Sequence, residues 1–311
     1  MSMQRRGIKA SKGFREVVIP EQNIGLFKDF CTFSKRIIEC KDIDPMYPVL
    51  KDLYDQKGLS KNESLWMTYL YVASYHIGCA ESAWDTWKRP MVVLNRHIKW
   101  EFSTGTERRL FRGRQNHYIQ NINEFVSKTG GDIEGWLSSI SPYGEHGWER
   151  VRKEFEKIKY NGSWASYKWA DLLKHVHGYN ITANDIGVGG GSATAGPVPG
   201  MVKLTGYDWR KCAVRVDIQK ALMSICIREG VPFDGLDQLE TALCDFNSLI
   251  KGKYYVGHDI DMQMEQMSHS KASLWEARGN AIPDNYRGEV CGWFGVRKDR
   301  CSIYKQKGII L

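Results

Sequence analysis

No run of about 18 or more apolar residues occurs in this 311-residue chain, so a transmembrane helix is not expected. Nor do the first fifteen positions supply a secretory signal. They carry Arg5, Arg6, Lys9, Lys12 and Arg15 and lack an apolar core region. A basic arm that orders when it meets phosphate is the better reading. Cys-x-x-Cys pairs are missing too. Cys31, Cys40, Cys79, Cys212, Cys226, Cys244, Cys291 and Cys301 stand singly, several inside apolar helical patterns. That usage fits free thiols in a reducing cytosol, and no spacing asks for zinc. Alternating strand patterns are scarce, confined to Val17-Val18-Ile19 and 301–311, and there is no internal repeat or clear linker. The chain has 42% hydrophobic and 26% charged residues, which excludes wholesale disorder and supports a real core. The expected fold is mostly α: a single helical domain over 21–280 with few short strands. A basic arm (1–20) and a basic tail (281–311) flank it.

What the chain does have is positive charge in clusters. Its formal net charge is +8. Arg96, Lys99, Arg108, Arg109, Arg112 and Arg114 face only Glu101 and Glu107 in the stretch ending at His117. The tail adds Arg287, Arg297, Lys298, Arg300, Lys305 and Lys307 against Glu289 and Asp299. With 11 Trp and 15 Tyr along the chain, such clusters suit phosphate contact and base stacking. A solvated cationic surface without a partner is the plain alternative.

Apolar spacing predicts several helices. Ser60-x-x-Glu63 reads as a capping box opening an almost wholly apolar helix that runs to Gly78. A second helix is expected from Glu107 to Lys128 after Thr106, with its arginine-rich half facing outward. Others are expected over Glu145–Lys159, from just after Gly162-Ser163 to near Gly178, over Val216–Arg228, over Gly235–Lys251 with Asp234 as N-cap, and over Ile260–Ala277. Glycine-rich 181–205 reads as a long loop.

Four constellations can carry chemistry. Trp164, Lys168, Asp171 and His175 fall at i, i+4, i+7 and i+11, one stripe from a core face. A phosphate-binding lysine beside a carboxylate base is one reading, and a surface ion pair is the other. Glu240, Cys244, Asn247 and Lys251 border the core stripe of a later helix, with Asp245 pointing elsewhere. Tyr254, Tyr255, His258 and Asp259 follow in a polar turn, where Asp259 could simply cap the next helix. Gly187-Val188-Gly189-Gly190-Gly191-Ser192 could cradle phosphate. It lacks both the Walker pattern and a preceding strand, and a lid explains it equally well. Finally, Arg108, Arg112, Arg114, Gln115 and His117 lie on one expected amphipathic helix, with Arg108 and Arg112 on a common face suited to DNA phosphates or pyrophosphate. An acidic partner surface would serve those charges as well.

The block Asn161-Gly162-Ser163-Trp164-Ala165-Ser166-Tyr167-Lys168-Trp169-Ala170-Asp171-Leu172-Leu173 resembles one in phage amino acid:DNA transferases, also described as α-glutamyl/putrescinyl thymine pyrophosphorylases. Leu239-Glu240-Thr241-Ala242-Leu243-Cys244-Asp245, with the stretch from Lys251 to Asp261, is similar to their second block. Tyr75 and Trp84 in the central helical region agree, and the resemblance covers roughly residues 60 to 265. It implies a DNA-glycosylase-like helical scaffold and a step in thymine hypermodification in the bacterial host cytoplasm. In that step, pyrophosphate on 5-pyrophosphoryloxymethyluracil in double-stranded DNA is displaced by an amino acid or polyamine.

That chemistry needs cations for pyrophosphate, for which Arg114 and Lys168 are candidates. A base must take the amine's proton, with Asp171, Glu240, Asp245 and Asp259 unranked. Lys251 could meet an amino acid's carboxylate, and Trp164 or Tyr255 could line a pocket for a flipped base. No cofactor is called for; a divalent metal aiding pyrophosphate release is left open. Gly196-Pro197-Val198-Pro199-Gly200 matches no family pattern and could line the amine pocket. Two alternatives stand beside this reading. One is a glycosylase-like base-excision enzyme, for which Ile186-Gly187-Val188-Gly189 is a poor hairpin. The other is a non-catalytic DNA-binding protein.

Overall fold

A computed structural model describes residues 8–9, 17–39, 44, 46–91, 103–144, 146–186, 196–207, 216–251, 263 and 276–277. The mostly-α expectation stands. Described residues form two compact units: 46–182 with 263 and 276–277 make an insert unit, and those up to 44 with 183–251 make a flanking unit. Among the described residues no helix is long and apolar enough to cross a membrane.

In the insert unit, α2 (Met46–Gln56) precedes α3 (Lys61–Ser74), whose positions 64–74 are all buried. The predicted capping box opens α3: the Ser60 hydroxyl accepts from the Glu63 amide, and the Glu63 carboxylate accepts from the Ser60 amide at 3.0 Å. Such a cap contributes about 1 kcal/mol. The helix does not reach Gly78. Tyr75 takes a left-handed conformation at φ 47°. A new helix, α4 (Ile77–Thr86), then starts from His76, whose ring Nδ1 accepts from the Gly78 and Cys79 amides.

The predicted helix over 107–128 is also broken. A 3-10 segment (Thr106–Phe111) gives way at Gly113, φ +66°, to α5 (Gln115–Thr129). Then come α6 (Ile133–Ser139), α7 (Gly147–Glu156) and α8 (Ser163–His175). Aromatic rings from four helices fill the core. Tyr69 of α3 stacks on Phe125 of α5 at 3.5 Å, and Phe155 of α7 stacks on Trp169 of α8 at 5.0 Å. Truncating one such ring to alanine costs about 3–5 kcal/mol.

The flanking unit holds α1 (Ile24–Glu39), α9 (Pro197–Thr205), α10 (Val216–Arg228) and α11 (Leu236–Leu249). Strands β1 (Ile8–Lys9) and β2 (Val18–Ile19) pair antiparallel, Ile8 opposite Ile19. Val17 and Ile19 are fully buried. Phe30 and Phe33 of α1 meet Phe246 of α11 at 5.3 and 5.6 Å.

Two expectations are corrected here. The stretch 197–205 is helical, because Pro197 sits at the first helical position, where its fixed φ and missing N–H favour helix initiation. Gly200 then lets α9 cross α11 closely: a Cβ there would lie 2.5 Å from the Leu243 carbonyl oxygen. Asp234 is not the N-cap of α11. Gly235 is, and the Gln238 side chain reaches back to accept from the Asp234 amide at 2.9 Å.

Candidate functional site

The stripe predicted on α8 faces α2 of the same unit. Lys168 and Asp171 are 8% and 2% exposed, so they are not a surface ion pair. Helical spacing stacks Lys168, Asp171 and His175 on one face, and Tyr47 of α2 closes over them. The Tyr47 hydroxyl donates to Asp171 Oδ2. The Lys168 ammonium donates to Tyr47 Oη at 2.9 Å and to Asp171 Oδ2 at 3.3 Å. His175 Nε2 lies 3.5 Å from Asp171 Oδ1, and its ring stacks on Tyr47 at 5.9 Å. The carboxylate is therefore engaged at both oxygens.

A carboxylate hydrogen-bonded to a phenol, with an imidazole 3.5 Å from its other oxygen, lines up groups along which a proton can move. Asp171 and His175 are metal-ligating types, yet Oδ2 already holds an ammonium and a hydroxyl, so the cluster carries its own cation.

One helical turn before Lys168, half-buried Trp164 meets the edge of Tyr75 at 4.6 Å. Tyr75 is fixed from both sides. Gly105 donates its amide to Ser74 O at 2.9 Å, and a Cβ on Gly105 would fall 2.3 Å from Tyr75 O. A tyrosine at positive φ stores strain that its surroundings must hold, a feature concentrated at binding sites. Trp164 and Tyr75 together make an aromatic wall beside the α8 stripe.

A second tyrosine–histidine pair joins the far end of α2 to the chain just past α8. Tyr54 stacks on His177 at 5.9 Å, and Thr68 Oγ1 is 2.8 Å from Tyr54 Oη and 2.7 Å from His177 Nε2. Burial, with Lys61 and Lys51 nearby, pushes the His177 imidazole down to about 3.

Arg108 is a correction. It is 2% exposed and does not share an outward face with Arg112, because 106–111 form a 3-10 segment with non-helical backbone at Arg108 itself (φ −110°, ψ 23°), and α5 starts only at Gln115. Its guanidinium donates to Ala73 O and Tyr160 O, each at 3.0 Å, and to Asn161 Oδ1 at 3.2 Å, while lying over the Phe111 ring. These donors serve the fold. Burial lowers its pKa to about 10, against the upward pull of Tyr69 and Tyr118, so it remains cationic at neutral pH.

Arg112 and Arg114 are exposed, and Arg114 is the N-cap residue of α5. Glu240 and Asp245 are half-buried on α11 of the flanking unit, and Lys251 is exposed just past that helix. Cys244 packs against Gly196, where a Cβ would lie 2.2 Å from its sulfur. Tyr255, His258, Asp259 and the glycines of 187–191 lie outside the described residues, as do most of 260–277 and the tail.

Sequence reasoning missed Tyr47. The apolar period of Met46, Val49, Leu50 and Leu53 would have revealed α2, but nothing local marks Tyr47 as a partner of a residue 124 positions away.

A family model described as amino acid:DNA transferase matches residues 38–255, spanning α2 to α11. No curated protein matches the chain.

Proposed function

The chain belongs to the amino acid:DNA transferase family, and on that premise we propose that it displaces pyrophosphate from 5-pyrophosphoryloxymethyluracil in phage DNA with the amine of an amino acid or polyamine. The observation that carries this reading is Asp171, a buried carboxylate held at both oxygens by Tyr47, Lys168 and His175. In the proposed step the amine lone pair forms a C–N bond to the exocyclic methylene carbon. The C–O bond to pyrophosphate breaks, and its electron pair leaves with pyrophosphate. The proton released from nitrogen passes to Asp171, with Tyr47 and His175 positioned to carry it on. Lys168 supplies positive charge for the departing group, in a setting where little solvent screens it. Trp164 and Tyr75 provide the aromatic surface on which an extruded base stacks.

Nucleoside mass spectrometry tests this reading. The protein is incubated with DNA carrying pyrophosphorylated 5-hydroxymethyluracil and a mixture of amino acids and polyamines. The expected product is a nucleoside with the mass of one amine adduct, with one pyrophosphate released per adduct. DNA that stays unchanged across all amines and divalent metals would refute the transferase chemistry, and a released free base would replace it with excision.

A further inference from the structure

Resting on the DNA-directed part of that reading, we propose that Arg112, Arg114, His117 and Lys159 form a docking surface for the sugar–phosphate backbone of DNA beside the target base. Two stretches without any Asp or Glu, 112–123 and 157–170, meet here in the insert unit. Their junction is built around Tyr160. His117 stacks on its ring at 4.8 Å and 19°, and the Lys159 ammonium lies 5.2 Å from the ring centroid. Tyr160 itself sits at φ 70°, a conformation that needs support. Arg108 bonds its carbonyl oxygen at 3.0 Å, and the Tyr160 hydroxyl donates to Gln120 at 3.0 Å. The ring is thus a fixed platform: the buried Arg108 guanidinium holds its backbone, and the Lys159 ammonium lies beside it.

Arg112 is oriented as well as exposed. Its Nε and Nη2 donate to Thr104 O at 3.2 and 3.0 Å, which holds one edge of the guanidinium to the protein. Between Arg112 and His117 the surface dips into a depression lined by residues 113–117, open to an incoming group. Exposed cations around a depression bordered by two stretches of chain without Asp or Glu complement a polyanion, and phosphate contacts of this kind set register while leaving sequence unread. The chain supplies the link to the reaction. Trp164 follows Lys159 by five residues and opens the helix carrying Lys168 and Asp171. A backbone held at Lys159 would therefore present its neighbouring nucleotide toward the Trp164–Tyr75 wall.

The test is equilibrium binding of a fluorescein-labelled, unmodified DNA duplex across a salt series, which requires no transfer chemistry. The variants are R114Q, K159Q, their double, and the charge-keeping pair R114K/K159R. Each glutamine should lower the slope of log affinity against log salt by about one and weaken binding about fivefold at about 0.15 M salt, additively in the double. R114K/K159R should bind like the wild type. K153Q, which removes an exposed cation on α7, should retain the full slope. Unchanged affinity and slope in R114Q/K159Q would overturn the proposal, as would an equal loss in K153Q. Loss of inorganic pyrophosphate binding with DNA affinity intact would reassign these cations to the leaving group. Polyglutamate binding as tightly as DNA through the same residues would reassign them to an acidic protein. If wild-type protein binds DNA through them yet forms no adduct, the docking surface stands and the transfer reading falls.

Discussion

Two tyrosine–histidine pairs bridge α2 and the end of α8, seven residues apart on one helix and two apart past the other. Tyr47 on His175 and Tyr54 on His177 have the same ring separation, 5.9 Å, and nearly the same tilt, 19° and 20°. What stands beside each differs. The first pair encloses a carboxylate and an ammonium, Asp171 and Lys168. The second encloses a neutral hydroxyl, Thr68, with lysine charge beyond it. Ring stacking therefore anchors the helices in both places. Ionic groups that can gain or lose a proton during a reaction are confined to one. Burying Lys168 and Asp171 incurs a desolvation cost that a well-packed apolar pair would avoid, so stability alone does not account for them, in keeping with the proposed role. Thr68, which fills its bonds with Ser64 O, Tyr54 and His177, is what a purely structural solution looks like.

The comparison breaks first at Asp171. Asp171→Asn keeps the shape but removes the proton acceptor and leaves the Lys168 charge without its counter-charge. Adduct formation in single-turnover nucleoside assays should fall about 100- to 10,000-fold, the range for losing a general base. Stability should drop by about 3–5 kcal/mol, the cost of half a buried ion pair, measurable by urea unfolding. A variant that loses stability but transfers at the wild-type rate would demote the cluster to a second structural pair.

Removing one hydroxyl from each pair sharpens the contrast. Tyr47→Phe leaves the Lys168–Asp171 contact but takes away the oxygen that bridges them. Transfer should slow roughly tenfold, equivalent to a charge-assisted bond of about 1.5 kcal/mol. Tyr54→Phe should instead cost about 1 kcal/mol of stability, because Thr68 retains its other partners, and leave the transfer rate within about twofold. Equal kinetic effects from the two substitutions would erase the distinction drawn between the pairs.

The α8 stripe was legible because a 3.6-residue period places Trp164, Lys168, Asp171 and His175 on one face whatever packs against it. The Ser60 cap was legible for a similarly local reason. Arg108 misled, because an amphipathic face assumes a regular α-helix, and here the chain is a 3-10 segment with non-helical backbone at Arg108 itself. Glycine and proline hid α9, although Pro197 at its first position was a start signal. Tyr47 could not be read at all. Its role exists only through a contact across 124 residues, and no spacing rule encodes that. Local order was thus visible, and the identity of what closes over it was not.

The smallest effect on transfer, and the most specific to the second pair, concerns pH. The His177 imidazole lies at about 3 in the folded chain because burial and the charges of Lys61 and Lys51 oppose its protonation. A free histidine titrates near about 6.5. As pH falls below that value the unfolded chain takes up a proton that the folded chain refuses. Its contribution to stability is therefore complete above about 6.5 and is lost as pH falls toward 3, by up to about 1.4 kcal/mol per pH unit. His177→Gln removes this titration and can still bond to Thr68. Urea unfolding at several pH values between 7 and 4 should show a shallower decline for the variant than for the wild type, with transfer at pH 7 unaltered. Parallel declines would mean that His177 already accepts its proton in the folded state. The second pair would then hold a charge as the first does, and position alone would be left to distinguish site from scaffold.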